Sequence, residues 1–134
     1  EGAKALVESL DRIFTNDFKF IDQDNSKATY AKKIQKKETQ INWNNKAEKI
    51  IAQVNAFNPN PGAWFIFNNN RIKILKAIEV EKKGVPGVVI NDELTIACKK
   101  NAIKVLFVQK EGKKIMETKN FLAGNKIEKG TKLI

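Results

Sequence analysis

Histidine is absent from all 134 residues. That removes the commonest general acid–base and the commonest metal ligand from the chain's own repertoire. Cysteine occurs once, at Cys98, so neither an internal disulfide nor a zinc site built on paired cysteines is available. A reducing, cytoplasmic setting is the expectation. Cys98 closes the apolar run Leu94-Thr95-Ile96-Ala97, and with no imidazole to activate it, it reads as a small buried side chain and not as a nucleophile. The seven glycines form neither a P-loop nor a dinucleotide fingerprint. Asp22 and Asp24 lack the further oxygen donors of a calcium loop and read as solvated. No run approaches the roughly 20 apolar residues that span a bilayer, and the first residues lack the layout of a signal peptide. The chain opens Glu1-Gly2-Ala3-Lys4 without an initiator Met, as a fragment would. Catalytic, cofactor-binding and metal-binding residues are expected to be absent, as is any membrane role.

Arginine is scarce too. Only Arg12 and Arg71 occur, so 23 of the 25 basic residues are lysine. Against 15 Asp and Glu they give a net charge of +10. The excess is uneven: residues 1–81 hold 13 basic and 10 acidic side chains, residues 82–134 hold 12 and 5. Such a field favours a polyanion, although a lysine- and asparagine-rich surface is also what A/T-rich coding produces. An apolar content of 42% supports a core for one domain of ordinary size without metal or disulfide staples.

Along the chain, Leu6, Leu10, Ile13 and Phe14 share one helical face. Asn16-Asp17 ends that pattern, and residues 15–29 have no sustained period. The spacing therefore predicts a helix over 1–14 belonging to a neighbouring unit, a linker over 15–29, and a separate domain over 30–134. Tyr30 to Lys37 is densely basic, with Ile34 its one interior anchor. Ala47, Ile50, Ile51 and Val54 predict a second helix capped by Asn44 or Asn45, ended near Phe57 by Pro59. Short strands follow over 64–67, 71–81, 88–90, 94–98 and 102–108, separated by Asn68-Asn69-Asn70, Pro86-Gly87, Asn91-Asp92 and Lys99-Lys100-Asn101. A last short helix runs from Glu117 to Leu122, closed by Gly124. The fold class is α+β, mainly β: a small open OB-like barrel of five to six strands with one packed helix, preceded by a helix and linker.

The most distinctive run is Asn55-Ala56-Phe57-Asn58-Pro59-Asn60-Pro61-Gly62-Ala63-Trp64. Physically it is a stiff helix-to-strand corner, with Pro61-Gly62 suited to a type II turn. It resembles the Ala-Phe-x-Pro-x-Pro-Gly-Ala corner of methionyl-tRNA formyltransferases. Further matches follow in order: Tyr30-Ala31-Lys32-Lys33-Ile34, Ile41-Asn42-Trp43, Arg71 to Ala77, Gly84-Val85-Pro86-Gly87, Glu111 to Met116, and Phe121-Leu122-Ala123-Gly124. Asn42 stands where that family usually has Asp, and Glu117 where Ser or Thr often caps the last helix.

The resemblance implies the carboxy-terminal, tRNA-binding part of an enzyme that moves a formyl group from 10-formyltetrahydrofolate to the methionyl amine of initiator tRNA in translation initiation. The co-substrate and the catalytic residues then belong to a missing amino-terminal domain, and this part binds initiator methionyl-tRNA without catalysing, as a monomer. Phosphate contacts are expected first from Lys32, Lys33, Lys36 and Lys37, next from the turn residues Lys82, Lys83, Lys99, Lys100, Lys113 and Lys114, acting as point charges. Trp43 and Trp64 read as core residues. Two alternatives stay open: support domain of a formyltransferase acting on an amino sugar nucleotide, or a non-enzymatic RNA-binding barrel.

Overall fold

A computed structural model describes residues 1–134. They divide into two compact units, Glu1–Lys32 and Lys33–Ile134. In the first, helix α1 (Gly2–Phe14) buries no residue, and Leu6, Val7 and Phe14 lie open. Its last turn closes through the Thr15 N–H bond to Asp11, and Asn16 follows with a positive φ. Asp24 accepts from Ser26 and pairs with Lys27 at 3.1 Å; these bonds hold its carboxyl below the usual range.

The second unit is built on one antiparallel sheet of six strands: β1 (Ala63–Phe67), β2 (Asn70–Val80), β3 (Val89–Asn91), β4 (Thr95–Ala97), β5 (Ala102–Lys110) and β6 (Met116–Glu117). The order is β1-β2-β5-β4-β3, with β6 added to β5. Asn68 and Asn69 both take φ near +50°, the sign a two-residue hairpin demands at both centres. A register shift between Ile74 and Lys76 bends β2 and brings both Ile74 and Leu75 into the interior. The carboxy-terminal tail closes the curl. Gly130 and Thr131 bond to Val89, Leu133 to Gly87, and the Ile134 carbonyl accepts from Ile66, so the tail covers backbone at both sheet edges.

Helix α2 (Ala47–Phe57) lays Ala47, Ile50 and Val54 against the sheet, where they meet a core containing Phe65, Ile72, Ile74, Val105 and Val108. Full burial of each large apolar side chain contributes about 1.5–3 kcal/mol. The expected asparagine cap is not used. Lys46 is the N-cap residue and supplies no side-chain bond; Asn44 and Asn45 are instead engaged in a turn on Asn42. The Ala47 N–H is satisfied from the β4–β5 turn, by the Lys100 carbonyl at 3.0 Å. Asn42 Oδ1 accepts from Asn44 N–H, so amide replaces carboxylate there without loss of the turn bond.

Other local expectations change as well. Ile34 is exposed, and the segment is anchored by Thr39 and Ile41. β1 begins one residue earlier than the sequence indicated, and β5 runs to Lys110. Glu117 belongs to β6, and α3 spans Thr118–Gly124. Gly124 does not close α3 in a left-handed conformation; Asn125 follows as the C-cap, its Nδ2 donating to the Phe121 carbonyl at 3.0 Å. At the proline corner, Gly62 takes a positive φ (83°), and its N–H reaches back to the Phe57 carbonyl at 2.8 Å, a longer loop than the four-residue turn expected there.

Candidate nucleic-acid interface

The second unit holds 20 Lys and Arg against 9 Asp and Glu. Four of those cations gather at a groove of about 310 Å³: Lys36, Arg71, Lys73 and Lys110, with Thr39 and Gln109 between them. Alternation along β2 puts Ile72 and Ile74 inside, leaving Arg71 and Lys73 on the outward face. Pairing with β5 sets Lys73 opposite Gln109 on that face, and Lys110, the last residue of β5, reaches the groove from the strand end. Lys36 opens a 3-10 turn (Lys36–Thr39) whose start is fixed by reciprocal bonding of Gln35 and Glu38. Gly62 matters here: a Cβ on it would lie 2.7 Å from Lys73 Cδ, so the bare glycine leaves room for the lysine stem.

Arg71 is held more firmly than the lysines. Its guanidinium carbon lies 4.3 Å from the Trp64 ring centre, within cation–π range. Trp64 is itself fixed, Nε1 donating to Thr39 Oγ1 at 2.9 Å, while Thr39 Oγ1 donates to the Lys36 carbonyl at 2.8 Å. One chain of contacts thus runs from the Lys36 turn through Thr39 and Trp64 to Arg71. None of the chain's five ion pairs involves Lys36, Arg71, Lys73 or Lys110. Glu111 is the one carboxylate on the lining. The groove offers point charges and one planar, pre-oriented guanidinium, the chemistry that suits phosphate.

Of the lysines singled out from sequence, only Lys36 lines this groove. Lys113 and Lys114 lie in the β5–β6 turn whose Gly112 borders it. Lys82 and Lys83 share a separate cleft of about 510 Å³ with Lys129. Lys37 lines a third, of about 470 Å³, with Trp43 and Lys132. Lys99 and Lys100 are exposed on the turn that receives the start of α2. Lys33 is exposed at the start of the second unit, and Lys32 is exposed at the end of the first. The structure therefore disperses the ten lysines over several surfaces. It adds Arg71, Lys73 and Lys110, which sequence reasoning missed. The outward alternation of Arg71 and Lys73 was the available signal; Lys110 had none, because its place depends on β2–β5 pairing.

No group of three or more acidic or cysteine side chains is placed to hold a metal ion. Cys98 is buried, and loss of solvation pushes its thiol up to about 11, so it stays protonated at neutral pH. No helix is long and apolar enough to cross a membrane.

The sequence pattern of the formyl transferase C-terminal domain matches residues 33–126. A methionyl-tRNA formyltransferase of Pelagibacter ubique is 40% identical over 133 residues, with 98% of this chain and 43% of that protein covered. Those of Paramagnetospirillum magneticum and Rickettsia africae are 40% and 38% identical, each over 98% of this chain and 44% of the relative. The chain thus spans less than half the length of these relatives. Among solved structures, HypX from Aquifex aeolicus in complex with tetrahydrofolic acid shares the fold, with a TM-score of 0.69 at 19% identity, covering 94% of this chain and 24% of that one.

Proposed function

Because the chain belongs to the formyl transferase C-terminal domain family, we propose that it is the tRNA-holding part of a longer methionyl-tRNA formyltransferase. In this reading it grips initiator methionyl-tRNA by its phosphates. A catalytic domain lying mostly outside these residues transfers the formyl group of 10-formyltetrahydrofolate to the methionyl amine, a step of translation initiation. Residues 1–14 form the last helix of that catalytic domain, 15–29 the linker, and 30–134 the binding domain. The protein works in the cytoplasm as a monomer.

The observation that carries the reading is the groove of unpaired cations around Arg71. Charge-assisted bonds to a guanidinium are worth about 1.5–3 kcal/mol, so removing a phosphate clamp there costs roughly tenfold or more in affinity. The dispersed lysines add weaker contacts and a general attraction. The test is tRNA binding by the 134-residue chain and by Arg71→Ala, at one fixed ionic strength. Affinity is expected to fall at least tenfold while folding, followed by circular dichroism, stays intact. Unchanged affinity in a folded Arg71→Ala protein would remove the groove from the binding surface.

A further inference from the structure

A second groove, of about 630 Å³, lies between β5 and α3 and shares no lining residue with the basic one. Its floor is apolar: Val105, Leu106, Phe107 and Leu122. The last three are half-buried, still presenting surface to solvent. Ile78, directly opposite Lys104 in the β2–β5 ladder, is 45% exposed and extends the apolar surface along the same sheet face.

Its rim inverts the charge of the molecule. Asp92, Glu93 and Glu117 all line it, a third of the nine carboxylates in residues 33–134. Lys104 is neutralised by Glu93 at 2.8 Å, a bond that also draws the Glu93 carboxyl below its usual range. Asp92 and Glu117 are then set against Lys119 alone. Thr118, on the wall beside Glu117, adds an unmet polar group to the same lining. It lines the groove, is only 6% exposed, and its Oγ1 has no hydrogen-bond partner. A buried hydroxyl left without a partner costs free energy that a bound acceptor would recover.

We propose that this groove docks a partner protein through a short apolar segment flanked by lysine or arginine. The apolar floor takes the segment's aliphatic or aromatic side chains. The carboxylate rim selects its cations by charge complementarity and repels phosphate. The surface is separate from the basic groove, so this docking does not depend on how nucleic acid is held.

Two synthetic twelve-residue amphipathic peptides serve as probes: one of leucine and lysine, and a twin with glutamate at every lysine position. Titrated into isotope-labelled chain, the lysine peptide is expected to shift the amides of Leu106, Phe107, Thr118 and Leu122 to saturation. The glutamate twin is expected to bind at least tenfold more weakly. Asp92→Asn with Glu117→Gln, both at exposed positions, is expected to bring the two peptides within threefold of each other. Equal binding of the peptides to the unsubstituted chain overturns the proposal, as do shifts spread over the whole surface. So does movement of the same four amides on adding tRNA, or on raising the chain's own concentration, since each assigns the groove another occupant.

Discussion

At the scale of single residues, the groove depends on how Arg71 is held as much as on its charge. Trp64 gives the guanidinium a flat surface, and Thr39 fixes the indole by a buried 2.9 Å bond. A lysine at position 71 would keep the charge and lose the planar fork. Arg71→Lys is therefore expected to bind tRNA several-fold less tightly than the unsubstituted chain, and more tightly than Arg71→Ala, in the same equilibrium assay. Trp64→Phe keeps an aromatic ring and deletes the indole donor, leaving Thr39 Oγ1 short of one bond. Denaturant unfolding should show a loss of about 1–2 kcal/mol; no loss would mean that the Thr39 bond adds nothing to the fold. Little of this was legible in the sequence. The alternation of Ile72 and Ile74 identified a strand, but the neighbours of Arg71 come from residues 36–39, 64 and 109–111, and no local pattern reports such distances.

Elements were more legible than contacts. The 3.6 period of Ala47, Ile50 and Val54 and the two-residue alternation around Ile72 and Ile74 survive into the fold with nearly the expected bounds, because each period places one face against the core. Element ends were read less well. Capping preference places the start of α2 at Asn44 or Asn45, yet those residues serve the Asn42 turn, and Lys46 occupies the cap with extended backbone angles (φ −65°, ψ 151°). That geometry already suits a short polar side chain. Lys46→Ser, or Lys46→Asp, would place an acceptor at the free N–H groups of the first turn and remove a cation from the positive end of the helix. Stability is expected to rise by about 1 kcal/mol, with a melting-temperature gain of a few degrees. A loss instead would indicate that the Lys100 carbonyl and its neighbours already complete that helix start. The final helix shows the same limit: the sequence places the stop at Gly124, and Asn125 makes the bond.

For the whole molecule, the charge excess pointed to a polyanion, and the fold shows how unevenly it is spread. The first unit is nearly neutral, with 5 basic and 6 acidic residues, and the second carries 20 against 9. Within the second, unpaired cations line one groove while three carboxylates rim another. Summed charge could not reveal this division, because it appears only once β2, β5 and the turns are assembled. A phosphate-gripping groove must release counterions when it binds, and each neutralised phosphate contributes about 0.7–0.9 to the slope of log affinity against log salt. That slope should be measured for tRNA binding to the unsubstituted chain and to a variant with Lys36, Arg71, Lys73 and Lys110 all changed to alanine. The expected result is a slope shallower by about 3 in the variant, with the fold preserved. An unchanged slope in a folded variant would contradict a phosphate-binding role for this groove.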